Sequence, residues 1–242
     1  MKTYLYFLSF LGFSFIANAQ QNLFNIPSGD ITPHKKLFYQ HQFNVYDYKL
    51  ESKSHLVYGL GKGWDAGVNL VGSGVGFKPT WELLQNEQVK NGNLFPVLMG
   101  TLQKQFVISE KLEINIGTQM GINISGKLSN QRLNHFTYLL NNWHITHKFR
   151  IVSGLFKSNK FYTGNANTFG VLGGFEWHLS KKLYAVGDWV SGRNDASVAV
   201  LGGVYNLSKR IQICAGWQLP NPKTPKTMAL VIELNLQGWD IE

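Results

Sequence analysis

The stretch Leu112-Glu113-Ile114-Asn115-Ile116-Gly117-Thr118-Gln119-Met120-Gly121-Ile122-Asn123-Ile124-Ser125 alternates almost residue by residue. In an extended chain successive side chains point to opposite sides. Leu112, Ile114, Ile116, Met120, Ile122 and Ile124 therefore share one face, and Glu113, Asn115, Gly117, Gln119, Gly121, Asn123 and Ser125 the other. One face is greasy, the other small and polar. The pattern returns at Met228–Gln237, where Met228, Leu230, Ile232, Leu234 and Leu236 oppose Ala229, Val231, Glu233, Asn235 and Gln237. It returns again at Arg210–Leu219, with Ile211, Ile213, Ala215, Trp217 and Leu219 against Arg210, Gln212, Cys214, Gly216 and Gln218. Alternation alone also fits a soluble sandwich with one wet face.

The rest of the chain decides between the two. Twelve segments between Leu37 and Gln237 read as strands, beginning with Leu37–Tyr46, Lys53–Leu60 and Trp64–Gly72. Most are close to or longer than the roughly 9–11 residues that a tilted strand needs to cross a bilayer. Every second link is a tight polar turn: Gly61-Lys62-Gly63, Ser109-Glu110-Lys111, Thr146-His147-Lys148, Ser180-Lys181-Lys182 and Ser208-Lys209. The links between them are longer or more variable: Asp47–Ser52, Ser73–Leu94, Gly126–Gln131, Lys157–Asn167, Ser191–Ala196 and Pro220–Lys226. A transmembrane barrel with both termini in the periplasm has this asymmetry, and a sandwich has no reason for it. Tryptophans mark two interfacial belts, with Trp64, Trp143, Trp177 and Trp239 near the short turns and Trp189 and Trp217 beside the long links.

Composition agrees. Charged residues make up 15% of the 242-residue chain, against roughly 25% in a soluble domain. Mean hydropathy is only −0.13, too low for several spanning helices. The lone Cys214 excludes an intrachain disulfide scaffold. Residues 1–19 read as a signal peptide, with Lys2 as the basic start, Tyr4 to Ala17 as the apolar run and Ala17-Asn18-Ala19 as the cleavage site. Residues 20–36 are expected to be an N-terminal periplasmic segment that either enters the barrel mouth or hangs below it, residues 37–239 the barrel, and residues 240–242 a tail.

These features together resemble the bacterial outer-membrane β-barrel proteins, small porin-like and transporter types, over residues 37 to 239. The resemblance implies an all-β, antiparallel up-and-down barrel in the outer membrane of a Gram-negative bacterium. The last strand resembles the family's assembly signal through Met228, Leu230, Ile232, Leu234, Leu236 and Trp239, although Asp240, Ile241 and Glu242 follow the aromatic. Outer-membrane lipid, lipopolysaccharide and the assembly machinery are the partners it implies.

Inside such a barrel the lumen-lining candidates are Asp65, Asn69, Glu113, Gln119, Asn123, Arg150, Glu176, His178, Asp188, Arg210 and Glu233. Small or neutral residues between them, including Gly174 and Gly216, favour a narrow water-filled path, unless the glycines only permit curvature. Arg150 and Glu176 are placed to pair across neighbouring strands, as a constriction or as a brace that fixes register. Charges of both signs point to small solutes that are neutral or zwitterionic. The expected function is thus a passive or weakly selective pore. A non-conducting barrel that presents its loops to a partner, and a lipid-modifying enzyme, are the alternatives. His135 is the histidine placed for a lipid-facing Ser–His pair, while His144 and His147 point to opposite faces and make a poor metal site. No cofactor is implied. The formal charge of +9 is scattered over both rims and forms no nucleic-acid groove. The loop Ser73 to Leu94 is expected to gate or contact ligand, as a lumen constriction or as a short helix over Trp81–Gln85.

Overall fold

Where apolar and polar residues alternate over ten or more positions, the chain pairs with its sequence neighbours until the ends meet. The computed structural model describes residues 22–84, 96–124, 133–164, 166–224 and 226–240. Its strands are β1 (Lys36–Val45), β2 (Lys49–Gly61), β3 (Trp64–Gly76), β4 (Glu82–Leu83), β5 (Val97–Ser109), β6 (Leu112–Asn123), β7 (Leu133–Thr146), β8 (Phe149–Ser158), β9 (Phe169–His178), β10 (Leu183–Val190), β11 (Val198–Asn206), β12 (Ile211–Pro220) and β13 (Ala229–Asp240). A single turn of helix, α1 (Lys160–Thr163), lies between β8 and β9. Each long strand pairs antiparallel with the next, and β1 pairs with both β2 and β13. Twelve strands therefore close into an up-and-down barrel, and β4 is an extra two-residue strand folded back on β3.

The outward side chains are apolar and exposed, among them Leu102, Ile116, Leu139, Leu201 and Leu234. A continuous apolar girdle of this kind is far beyond the patches that soluble monomers carry, and it suits hydrocarbon. Trp64, Trp143, Trp177 and Trp239 project outward near the short turns and Trp189 and Trp217 near the other end, each between 40% and 58% exposed. Cations dress the lower belt, with Lys104 over the Trp64 and Phe106 rings and Arg210 over Trp239. The turn after β2 holds Gly61, Lys62 and Gly63 at φ of 88°, 53° and 76°, which explains two glycines in three residues.

Two expectations change, and one open alternative is decided. The first outer link is only Tyr46–Tyr48, because β2 begins at Lys49 rather than Lys53. Its first dyads carry Glu51 and Lys53 inward and Ser52 and Ser54 outward, so no greasy face announces them. In the long loop, the described residues after β3 return as β4 rather than a helix, with Trp81 and Leu83 exposed; residues 85–95 lie outside the described residues. The open alternative concerns the segment before β1. The signal peptide lies outside the described residues, but from Asn22 onward the chain is inside the barrel, not beneath it. Asn22 pairs with Pro27 across a tight turn closed by Leu23 N–H to the Ile26 carbonyl at 3.0 Å. Leu23, Phe24, Ile26, Ser28 and Thr32 are buried, and the chain leaves at the short-turn end, where His34 bridges Gly59.

Candidate functional site

The inner hairpin, residues 22–34, is held by carboxylates and one arginine of the wall. A turn leaves successive backbone N–H groups pointing one way, and an acceptor must meet them when the turn is buried. Asp188 on β10 does so, with one oxygen accepting from the backbone of Phe24 at 2.9 Å, of Ile26 at 3.0 Å and of Asn25 between them. Asp65 on β3 accepts the Thr32 N–H at 3.0 Å. Arg150 on β8 grips Asp30 through two parallel bonds of 2.8 and 2.7 Å and also donates to Glu176 on β9 at 2.9 Å. Such fork-to-carboxylate geometry fixes direction as well as charge. Gln103 and Gln105 donate to the carbonyls of Asp30 and Gly29, each at 3.1 Å.

Apolar contacts complete the seat. Leu23, Phe24 and Ile26 pack in one buried cluster with Phe136, Tyr138, Leu140, Val152, Phe156, Leu172, Val186, Val204, Cys214 and Val231 of the wall. A methyl group at Gly174 would lie 2.4 Å from Leu23 Cδ1, and one at Gly216 would lie 2.9 Å from Phe24. These glycines do not widen a pore; they are the hollows that receive the hairpin. The short-turn half of the lumen is filled as a result.

Above the hairpin a cavity of about 100 Å³ remains toward the long links. Its floor is Asn22, Phe24 and Asn25, and its walls carry Gln40, Gln42, Asn44, Asn69, Gln119 and Gln218. The amides are chained: Gln42 donates to Asn44 at 2.7 Å, Asn44 to Gln218 at 3.5 Å, and Gln218 to the Tyr46 hydroxyl at 3.1 Å. Asn69 donates to Gln119 at 2.9 Å. Charges of both signs meet here. Lys53 donates to Asn25 at 2.8 Å, and Glu51 pairs with Lys49. Burial lowers the pKa of Lys226, but neighbouring Glu51, Tyr46 and Asp195 overcome it and hold the ammonium above the usual lysine range. Burial pushes the Tyr162 phenol up to about 12, so it faces the cavity as a neutral ring.

The residues expected in the lumen are thus divided. Asp65, Arg150, Glu176 and Asp188 meet at the hairpin, and Asn69 and Gln119 line the cavity. His178 stacks on Tyr184 and bonds Glu176 at 2.6 Å. Glu113 accepts from Gln105 at 3.1 Å and Asn142 at 3.5 Å near the short-turn end. Asn123 closes β6 at the opposite end, beside Val97. Glu233 is buried next to Asn235, which donates to it at 2.8 Å. Arg210 is corrected: it sits in the turn before β12, exposed and stacked outside on Trp239, because strand parity ends where the turn begins. The hairpin itself was missed as a functional element; its signal was the apolar trio Leu23, Phe24 and Ile26 ahead of Pro27 and Gly29.

On the lipid side, His135 pairs across from Met120. A Ser–His contact does occur there, but between Ser54 and His41, at 2.8 Å, with Tyr39 also 3.1 Å from the same His41 nitrogen.

No protein-family model matches the sequence, and no curated protein sequence matches it either. Solved structures do resemble its fold. The NanC porin aligns with 84% of this chain and 98% of its own at a TM-score of 0.56 and 10% identity. Outer membrane phospholipase A from Escherichia coli covers 87% and 92% at 0.46 and 10% identity. The toluene transporter TbuX of Ralstonia pickettii covers 84% and 90% at 0.43 and 8%. At these identities the likeness is one of fold: this chain has the architecture of outer-membrane β-barrel proteins.

Proposed function

We propose that the protein is an outer-membrane channel of a Gram-negative bacterium that passes small polar solutes, neutral or zwitterionic, and that its N-terminal hairpin closes it. The lipid-facing girdle and tryptophan belts support the location. Lysines on both rims suit lipid and lipopolysaccharide phosphates, and β13 suits recognition by the assembly machinery.

The observation that carries the channel reading is the chemistry around the hairpin. A barrel permanently filled by its own chain would leave few buried polar atoms unmet. Here the hairpin is latched by polar contacts beside its apolar seat, and buried amides of the lower wall, Asn115, Asn142, Asn206, Gln212, Asn235 and Gln237, keep nitrogen or oxygen atoms that no group among the described residues meets. Buried polar atoms without protein partners are places for water. A wall built to be wet, behind a segment held by breakable contacts, fits a gate better than a core.

Planar bilayers test this. The mature chain should give rare or small openings, and a variant without residues 22–34 should give frequent, larger ones of weak ion preference. A deletion variant that retains heat-dependent gel migration yet never conducts overturns the channel.

A further inference from the structure

The cavity above the hairpin has a composition that the gate does not explain. Closing a pore needs packing, but here eight amide side chains, Asn22 and Asn25 among them, surround a space floored and walled by the rings of Phe24, Phe136 and Tyr162. An amide offers one acceptor and two donors in a fixed plane, which matches the paired hydroxyls of a sugar. A ring face offers an apolar surface to the C–H side of the same molecule. Carboxylates and ammonium groups both line the cavity, Glu51 and Asp195 with Lys53 and Lys226, so a ligand of one charge meets groups of both signs. Asn25 and His55 line this region, and Asn25 Nδ2 and His55 Nδ1 have no hydrogen-bond partner among the described residues.

Size points the same way. A cavity of about 100 Å³ holds several waters, and displacing them makes room for one sugar ring. Two sources of recognition, amides at the edge and rings at the face, therefore act on a ligand of one ring.

We propose that the outer chamber is a binding site for a neutral monosaccharide or cyclic polyol. Gln40, Gln42 and Gln119 bond its hydroxyls, and Tyr162 and Phe136 cover its apolar face. Because Asn22, Phe24 and Asn25 form the floor, the bound ring rests on the gate itself. The proposal deepens the channel reading and rests on it for the route by which the sugar arrives.

Calorimetry on the folded, detergent-solubilised full chain tests it, with D-glucose, D-galactose, L-arabinose and myo-inositol as neutral probes. D-gluconate, D-glucosamine and L-serine serve as the anionic, cationic and zwitterionic comparisons. At least one neutral probe should bind with a millimolar or tighter Kd, and the comparisons about tenfold more weakly. Gln42→Leu and, on a different strand, Gln119→Met should each weaken the neutral probe about threefold to tenfold while keeping heat-dependent migration, so that misfolding of one leaves the other decisive. Tighter binding of a comparison compound, no binding of any neutral probe, or unchanged affinity in a folded variant overturns the saccharide site. Solute flux into liposomes is measured in parallel. Flux without binding overturns the site and leaves the channel, and binding without flux does the reverse.

Discussion

The two halves of the lumen are built on opposite rules. At the short-turn end the wall is shaped around a separate piece of chain, with glycine hollows, an apolar cluster, and two carboxylates and an arginine that each meet a specific group of the hairpin. Toward the long links the wall bonds mostly to itself through amides and leaves space. The difference shows that barrel size alone does not set openness. Roughly eight strands are filled by their own side chains and sixteen or more leave a channel; at twelve, this protein closes one half with an added segment and leaves a cavity of about 100 Å³ among the described residues of the other half. Closure is thus local and rests on contacts that single substitutions can remove.

The largest effect is expected from Arg150→Ala. The guanidinium stands between Asp30 of the hairpin and Glu176 of the wall. Its loss leaves two carboxylates facing each other in a buried setting, where breaking one partner of an ion pair costs about 3–5 kcal/mol. Part of that cost disappears if the hairpin leaves and water enters. The variant should therefore conduct far more often than the parent, and its unfolding midpoint in urea should fall. Unchanged conductance with a folded barrel would break the contrast between a latched half and a free half.

Gly174→Val should act in the same direction but less strongly. Its first carbon already lies 2.4 Å from Leu23 Cδ1 and 2.9 Å from the Gly187 carbonyl, and overpacking of this kind costs about 1–3 kcal/mol. The hairpin can yield where the strand cannot, so the substitution should raise open time in planar bilayers. A chamber substitution such as Gln42→Leu should leave open time as it was, because no bond from Gln42 reaches the hairpin in the contacts described. Equal effects at the two sites would mean that the halves are not separate.

Much of this fold was readable from the chain, because β alternation and short turns are local signals. The outward faces of β6, β12 and β13 follow from Leu112, Ile211 and Met228 onward, and the six tryptophans lie where their strand ends put them. What local signals cannot carry is contact at a distance. Asp188 meets Phe24 across 164 positions, and Arg150 meets Asp30 across 120. Leu23, Phe24 and Ile26 are too few to make a periodic element, so the sequence left the segment either in the barrel mouth or below it. Gly174 and Gly216 were taken for open space because a glycine in sequence says that a side chain is missing, not what fills the gap. The start of β2 was hidden for a related reason: with serines outward and charges inward, it has no greasy face to count.

Those outward serines set up the smallest expected effect. Ser54 and His41 form the only lipid-facing serine–histidine hydrogen bond among the contacts described, and a hydrolase would need such a pair at the depth of lipid ester groups. Register gives its depth. His41 pairs with Leu234, and Leu234 with Ile213, whereas the outer tryptophan belt lies two dyads away, where Trp217 pairs with Leu230. The lower belt begins beyond Leu236 at Trp239, so the pair sits near the centre of the apolar band. Esters do not reside there. Tyr39 also competes for the same ring nitrogen, which leaves the imidazole poorly placed to take a proton from serine. Ser54→Ala should therefore remove one hydrogen bond, shift stability by about 1 kcal/mol or less, and leave fatty-acid release from phospholipid vesicles at background in both proteins. Release that depends on Ser54 would overturn this and turn the outer wall, rather than the lumen, into the working surface.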